Sequence, residues 1–212
     1  MQIKQFVFNH FGENCFLVWD AQSREASVID PGAYPSQEVE QLVRAVEDNG
    51  LTLVRVLLTH AHIDHVAGLY PVCQHFRLPV TMHRDGIKLL NQAPIYGSVM
   101  RFDEVRGTEG LEYAFVNGGD VVGPFECRHV PGHCPGSLAF VLHQDRKVFT
   151  GDALFRGSIG RTDLPGGDYD LLIGSIRSQL LTLDDDYEVL PGHGDTSTVG
   201  EEKMSNGFLV YD

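Results

Sequence analysis

Residues 59–65, with the sequence Thr-His-Ala-His-Ile-Asp-His, constrain this chain more than any other segment. They place three imidazoles and one carboxylate directly after the apolar run 53–58, which predicts a strand buried on both faces. Alternate residues of an extended segment point the same way, so His60 and His62 are expected to share one metal ion. Asp64 and His65 lie further on, where they can reach a second ion. Imidazole and carboxylate ligands favour zinc, iron or manganese over calcium or magnesium.

Composition limits the classes of protein to which this chain can belong. With 212 residues, it is long enough to bury a core without disulfide bonds. Its formal net charge of -13 argues against a nucleic-acid partner, because proteins that bind polyanions usually present a basic surface. The four cysteines form no C-x-x-C pair, which favours reduced thiols. With neither a signal-peptide pattern nor a membrane-spanning apolar run, the expectation is a soluble cytoplasmic protein with no membrane partner. The oligomeric state is left open.

The spacing of apolar residues predicts strands and helices in both halves of the chain. The predicted strands are 3–8, 15–19, 26–29, 53–58, 79–83, 113–116, 125–130, 138–142, 148–150 and 189–190. The predicted helices are 36–50 with Ser36 as its N-cap, 66–76, 85–92, 171–183 and a short one in the tail from Glu201. Residues 93–110 show no clean period, which predicts an irregular segment that could act as a lid. This order favours a single domain over residues 1–212 with an α/β (α+β) fold, a four-layer αββα sandwich of two sheets between helices.

Three later strand ends carry further candidate ligands. They are His133 in a Pro-Gly-His-Cys-Pro-Gly loop, Asp152 after strand 148–150, and His193 in a Pro-Gly-His-Gly stretch. Each of them alone fits a structural role as well as a functional one. Together with residues 59–65, they favour a metal site. Asp30 follows the third strand and has two interpretations: a turn residue, or a carboxylate that orients a metal-bound histidine.

Four stretches, T-H-A-H-I-D-H, P-G-H-C-P-G-S, T-G-D-A-L-F and P-G-H-G, occur in an order that resembles the metallo-β-lactamase fold superfamily. Within it, the chain is similar to the glyoxalase II (hydroxyacylglutathione hydrolase) group, and most of all to its compact, single-domain bacterial branch. Residues 151–155, 160–167 and 197–202 carry that similarity. The resemblance implies the metallo-β-lactamase fold and a ligand set for two metal ions: His60, His62 and His133 for the first, Asp64, His65 and His193 for the second, and Asp152 shared by both.

The chain departs from glyoxalase II at the positions that bind glutathione. The stretch after His193 is too short for the C-terminal helical domain that helps glyoxalase II to bind glutathione, so no such separate domain is expected. Arg161 stands where a lysine is usual, and Asp163 and Asp195 stand where tyrosines are usual. The thiol carrier of the substrate is therefore left open. Arg161 is expected to bind a substrate carboxylate as a planar fork, with a structural ion pair to Asp163 as the alternative.

The resemblance implies an enzyme, a metal-dependent hydrolase of a small-molecule thioester such as S-lactoylglutathione or a related thiol adduct. Its cofactors are two divalent metal ions, with zinc expected and iron or manganese as alternatives. The reaction that the resemblance implies is attack of a metal-bridging hydroxide on the thioester carbonyl, with Asp64 and Asp152 as the expected catalytic carboxylates. An iron-dependent persulfide dioxygenase, which shares the ligand set and a G-R-T-D stretch like 160–163, is the main alternative. A lactonase and a metal-binding scaffold without turnover are further alternatives.

Overall fold

The computed structural model describes residues 1–103 and 105–210. The chain divides into two compact units, and each unit contains one six-stranded sheet. The first unit comprises Met1–Met82 and Ile87–Phe115, and the second comprises His83–Gly86 and Val116–Asp212. The prediction of one domain over residues 1–212 stays a prediction.

The sheet of the first unit begins as an antiparallel meander and continues with parallel strands. In sheet order its strands are β1 (Gln2–Phe8), β2 (Glu13–Trp19), β3 (Glu25–Ile29), β4 (Thr52–Leu57), β5 (Val80–Met82) and β6 (Tyr113–Phe115). β1, β2 and β3 pair antiparallel, whereas β3 to β6 pair parallel. Because Ile29 at the end of β3 lies opposite Leu57 at the end of β4, the segments after these two strands leave the same edge of the sheet.

Helices of the first unit pack their apolar residues into a core that is shared with this sheet. They are α1 (Ser36–Glu47), α2 (Ile63–Val66), α3 (Leu69–Phe76), α4 (Ile87–Asn91) and α5 (Ala93–Val99). The buried side of α1 carries Leu42 and Val46, as its sequence period predicts. The N-cap prediction is wrong, because Pro35 occupies the cap position and Ser36 is the first helical residue. Burial of β4 on both faces is partial, since Val54 and Arg55 are only half-buried.

Two predicted segments of the first unit differ from the structure for reasons of tertiary packing. The predicted helix 66–76 is broken at Gly68, which donates its N–H to the carbonyl of Pro31 at 2.9 Å. A Cβ on Gly68 would lie 2.8 Å from the carbonyl oxygen of Ala33, so the chain bends where it packs against residues 31–33. The prediction of an irregular segment is wrong for residues 93–99, which form α5. The prediction of a lid stays a prediction, and Glu104 within that stretch lies outside the described residues.

The sheet of the second unit is antiparallel except for one pair of parallel strands. In sheet order its strands are β14 (Ser197–Thr198), β13 (Glu188–Pro191), β10 (Lys147–Gly151), β9 (Leu138–Leu142), β8 (Phe125–His129) and β7 (Val121–Val122). β10 and β13 are parallel, and the other neighbours are antiparallel. β8 therefore runs in the same direction as β10 and β13, so these three strands end at one edge.

The second unit also contains a separate two-stranded sheet and several helical elements. They are a small ribbon of β11 (Leu154–Phe155) and β12 (Ser158–Ile159), α6 (Tyr169–Ser175), a π-helical turn (Ile176–Leu180), α7 (Val199–Ser205) and two 3-10 turns (Arg84–Gly86 and His143–Asp145). α6 is shorter than the predicted helix 171–183, and it starts at an N-cap, Asp168, whose side chain accepts the N–H of Leu171. α7 begins before Glu201 with a capping box between Thr198 and Glu201. Sequence periodicity missed the two-residue strands because they are too short to show a period.

The four cysteines are free and buried, in agreement with the prediction of reduced thiols. Burial raises the pKa of Cys73 to about 12 and that of Cys127 to about 11. These two thiols are therefore protonated at neutral pH and are poor nucleophiles. Within the described part of the chain, the helices are all too short or too polar to cross a bilayer.

Candidate metal centre

Three imidazoles of residues 59–65 meet in the first unit. His62 keeps an extended backbone and α2 starts at the next residue, so the segment turns from strand-like to helical within the cluster. The ring centroid of His60 lies 4.9 Å from that of His62 and 4.1 Å from that of His65. The Nε2 atom of His65 lies 3.7 Å from Oδ2 of Asp64. The predicted ligands of this segment thus converge on one another.

Asp30 lies beneath this cluster and holds two of its histidines. Its Oδ1 accepts the N–H of Thr59 at 2.7 Å, and its Oδ2 accepts the Thr59 hydroxyl and lies 3.0 Å from Nδ1 of His65. The Thr59 oxygen in turn lies 3.0 Å from Nδ1 of His60. Because Thr59 gives its hydroxyl proton to Asp30, it accepts from His60. Both rings are then held as tautomers with the lone pair on Nε2, the form that binds a metal.

The second unit supplies its candidate ligands from the three strands that end at one edge. β8 leads to His133, β10 to Asp152 and β13 to His193. Oδ2 of Asp152 lies 3.7 Å from Nε2 of His133 and 3.7 Å from Nε2 of His193. Two atoms that bind one tetrahedral zinc at about 2 Å each are roughly 3.4 Å apart. Both separations are longer than a hydrogen bond and close to the distance between two ligands of one ion. The Asp152 carboxylate lies between two imidazoles, which suits a ligand that two ions share.

Backbone contacts fix the orientation of His133 and Asp152. The Nδ1 atom of His133 lies 2.8 Å from the carbonyl oxygen of Arg161, which leaves Nε2 on the side of Asp152. Gly160 packs against the same pair. A Cβ on Gly160 would lie 1.8 Å from the carbonyl oxygen of Asp152 and 3.0 Å from Nδ1 of His133. Only glycine allows this approach.

The proline-glycine context of His133 also has a packing reason. Gly132 has a φ of +127°, which glycine adopts at low cost. A Cβ on Gly132 would lie 2.3 Å from the backbone nitrogen of Leu172, so α6 packs directly on this loop. The carbonyl of Gly132 accepts the N–H of Asp168 at 2.8 Å. The start of α6 therefore holds the loop that carries His133.

Arg161 and Asp163 form the ion pair that was the alternative interpretation of Arg161. Nε and Nη2 of Arg161 donate to the two carboxylate oxygens of Asp163, each at 2.8 Å. The hydrogen bonds from Arg161 lower the pKa of Asp163 to about 2. The pair therefore persists above pH ~4, where a free aspartate is ionised, and is lost only as the pH falls towards 2. Both side chains are more than half exposed, so the pair adds little to stability.

The structure thus brings together the predicted ligands within each unit: His60, His62, Asp64 and His65 with Asp30 in the first, and His133, Asp152 and His193 in the second. Arg161 joins the second group through its backbone carbonyl, whereas its side chain pairs with Asp163. Sequence reasoning missed the roles of Gly32 and Gly160, each of which packs against the backbone carbonyl of a candidate carboxylate ligand. Their signal was their place in the Asp-Pro-Gly and Gly-Arg-Thr-Asp stretches. The donors are imidazole nitrogens and carboxylate oxygens, a set that fits divalent transition metals.

Comparison with known proteins gives matches over nearly the whole chain. Residues 9–193 match the family described as the metallo-beta-lactamase superfamily. Among curated proteins, hydroxyacylglutathione hydrolase GloC from Haemophilus influenzae is 40% identical over 99% of this chain and 98% of its own length. The predicted resemblance is thereby confirmed.

Solved structures with the same fold include proteins of different kinds. BLEG-1, described as a B3 metallo-beta-lactamase, has a TM-score of 0.88 and 32% identity, covering 99% of this chain and 100% of its own. TTHA1623 in a di-iron-bound form has a TM-score of 0.87 and 35% identity, covering 97% and 100%. ETHE1 from Myxococcus xanthus has a TM-score of 0.77 and 28% identity, covering 98% and 84%. These matches confirm the predicted fold class.

Proposed function

The chain is a metallo-hydrolase that belongs to the metallo-β-lactamase superfamily, and we propose that it hydrolyses a thioester such as S-lactoylglutathione or a related thiol adduct. The observation that carries the proposal is the position of the Asp152 carboxylate, 3.7 Å from each of two imidazoles. A carboxylate between two imidazoles suits a centre of two ions. The similarity to GloC, a hydroxyacylglutathione hydrolase, supports a thioester as the substrate.

We propose that seven side chains hold two divalent ions. The first ion takes His60, His62 and His133, the second takes Asp64, His65 and His193, and Asp152 is shared. Zinc is the metal that we expect, with iron or manganese as alternatives. The di-iron form of TTHA1623 supports keeping iron among them.

The residues of the chain act by holding the reacting groups in place. Divalent ions supply Lewis acidity when bound and lower the pKa of water to about 7. Asp64 and Asp152 are the anionic members of the ligand set, and Asp30 and the Arg161 carbonyl keep His65 and His133 in one orientation. Water adds to the thioester carbonyl carbon, the C–S bond breaks, and a carboxylic acid and a thiol are formed. A thiol with a pKa near 8.5 leaves as its thiolate, so the chain needs no strong general acid.

A substrate panel on the purified, metal-loaded protein tests this function. We expect thiol release from S-lactoylglutathione and from S-lactoyl esters of other thiols, and loss of that release in His62→Ala. Lactones of similar size are included to test lactonase activity. Absence of thiol release from all the thioesters, with hydrolysis of a lactone instead, would contradict the proposal.

The G-R-T-D stretch at residues 160–163 supports an iron-dependent persulfide dioxygenase as the second candidate. The same protein loaded with iron should therefore be tested for oxygen uptake with glutathione persulfide. Uptake of oxygen without thioester hydrolysis would contradict the hydrolase proposal and support the persulfide dioxygenase.

Arg161 provides a test of how the substrate is bound. Since its pair with Asp163 is exposed, a substrate carboxylate can take the place of Asp163 at the guanidinium. We expect Arg161→Ala to raise KM about tenfold for a thioester with a free carboxylate, the loss of about one charge-assisted hydrogen bond. kcat should stay unchanged, because alanine keeps the carbonyl that holds His133.

The matched control is a thioester without a carboxylate, for which Arg161→Ala should leave KM unchanged. Asp163→Asn, which weakens the competing pair, should lower KM for the carboxylate-bearing thioester. If Arg161→Ala changes KM equally for both thioesters, Arg161 has only a structural role.

A further inference from the structure

Asn9 connects three segments of the first unit through its side chain. Its Nδ2 donates to the carbonyl oxygen of Gly32 at 2.8 Å and to the carbonyl oxygen of Asp64 at 2.9 Å. Its Oδ1 accepts the N–H of Phe11 at 2.9 Å, so the amide is held in one orientation. One side chain in the turn between β1 and β2 thus holds the loop after β3 and the helix that contains Asp64.

The backbone of Asn9 is fixed as well. Its φ is +49°, a left-handed conformation that asparagine tolerates better than most residues. Its N–H donates to Oε2 of Glu38 at 2.7 Å, and the same oxygen accepts the N–H of Tyr34 at 3.0 Å. Glu38, in the first turn of α1, therefore holds the backbone of Asn9, and the side chain of Asn9 in turn holds Asp64.

Gly32 also lies close to the Asp64 carbonyl. A Cβ on Gly32 would lie 1.9 Å from the carbonyl oxygen of Asp64 and 2.4 Å from Oε2 of Glu13, which is fully buried. The carbonyl of Asp64 thus lies close to Gly32 and accepts a hydrogen bond from the amide of Asn9. A shift of this carbonyl would carry the Asp64 carboxylate with it.

We infer that Asn9 is a positioning residue for the carboxylate of Asp64, an inference that rests on the proposed role of Asp64 as a ligand of the second metal ion. α2 is a single turn of four residues without a side-chain N-cap. So short a helix has little stability of its own, and contacts outside it decide where its side chains lie. The two hydrogen bonds from Asn9 are such contacts, and they act on Asp64 itself.

Stepwise zinc binding to the metal-depleted full chain tests the inference, with Asn9→Gly as the variant. Glycine adopts the left-handed backbone of Asn9 without strain and removes only the amide. We expect the affinity for the second zinc to fall about 10- to 100-fold, the usual effect of losing a partner of a metal ligand, with the first zinc unaffected. kcat for the thioester should fall at zinc concentrations that saturate only the first site, with KM unchanged.

Asn49→Gly is the matched control. Asn49 also donates its side-chain amide to a backbone carbonyl, that of Ala45 at 2.8 Å, and it lies just beyond the C-cap of α1. The variant Asn49→Gly shares with Asn9→Gly the entropic effect of a new glycine and the loss of a side-chain amide. We expect both zinc affinities of Asn49→Gly to equal those of the wild-type chain.

Equal zinc affinities in Asn9→Gly and Asn49→Gly, or an equal fall of both affinities in Asn9→Gly, would overturn the inference and leave the hydrolase proposal intact. A selective loss of the second zinc in a chain whose wild type hydrolyses no thioester would support the positioning role and refute the proposed substrate. If Asn9→Gly does not fold, Asn9→Asp decides, because it keeps the acceptor for Phe11 and replaces the donor by an oxygen that repels both carbonyls. We expect the same selective loss from it.

Discussion

Asp152→Asn should fold like the wild-type chain, and its rate of thioester hydrolysis should fall by more than about 100-fold. Loss of a residue that only supports a metal ligand already lowers metal affinity or activity by up to about 100-fold, and loss of a ligand should cost more. Asparagine has nearly the same shape, but its neutral amide is a poor ligand. Asp152 lies between His133 and His193, so the change affects two imidazole neighbours at once. We also expect the metal content of the purified protein to fall. Elemental analysis and initial rates at saturating zinc measure the two effects.

Asp170→Asn is the control for this change, because Asp170 is an exposed aspartate in the first turn of α6. It should keep the metal content and the rate of the wild-type chain. A variant Asp152→Asn that binds two metal ions per chain and hydrolyses the thioester at the wild-type rate would refute the shared carboxylate.

Short-range patterns were enough to predict the fold class, and they also indicated the candidate site. Residues 59–65 and the three strand-end loops are each recognisable from a few neighbouring residues. Strands that run in one direction bring their C-terminal loops to one edge of the sheet, so such local signals also predict which side chains come together. The comparisons confirm the fold and the superfamily that these signals indicated. The metal-binding roles of the individual residues stay a proposal.

The features that sequence reasoning missed depend on contacts between distant residues. Gly68 breaks a helix because residues 31–33 lie against it, and nothing near Gly68 in the sequence marks the break. α5 forms in a stretch with no clean period. Gly97 in this helix packs closely against the backbone of Phe102, since a Cβ on Gly97 would lie 3.0 Å from the carbonyl oxygen of Phe102. Asn9 reaches across 55 positions to Asp64. A single sequence does not state which turn residue meets which distant carbonyl, so these features emerge only from the folded chain.

Gly160→Ala should reduce both stability and activity, because its new methyl group meets backbone rather than a flexible side chain. The Cβ would lie 1.8 Å from the carbonyl oxygen of Asp152, so residue 152 or residue 160 must move. Overpacking of this kind costs about 1–3 kcal/mol. For a chain of this size, that lowers Tm by roughly 2–12 °C. The movement also displaces the Arg161 carbonyl that holds His133, and a displacement of about 1 Å in a catalytic centre lowers the rate by up to about 100-fold.

Gly174→Ala separates this steric effect from the general effect of replacing glycine. Gly174 lies in α6, and a Cβ built on it has no described atom within 4 Å. Alanine in a helix is more favourable than glycine by about 1 kcal/mol, so Gly174→Ala should keep the rate and raise Tm slightly. Calorimetry and initial rates on the two variants compare the same chemical change at a crowded and an open position. Wild-type Tm and wild-type rate in Gly160→Ala would show that the backbone of Asp152 tolerates movement, and the rigid support proposed for the carboxylate would then be wrong.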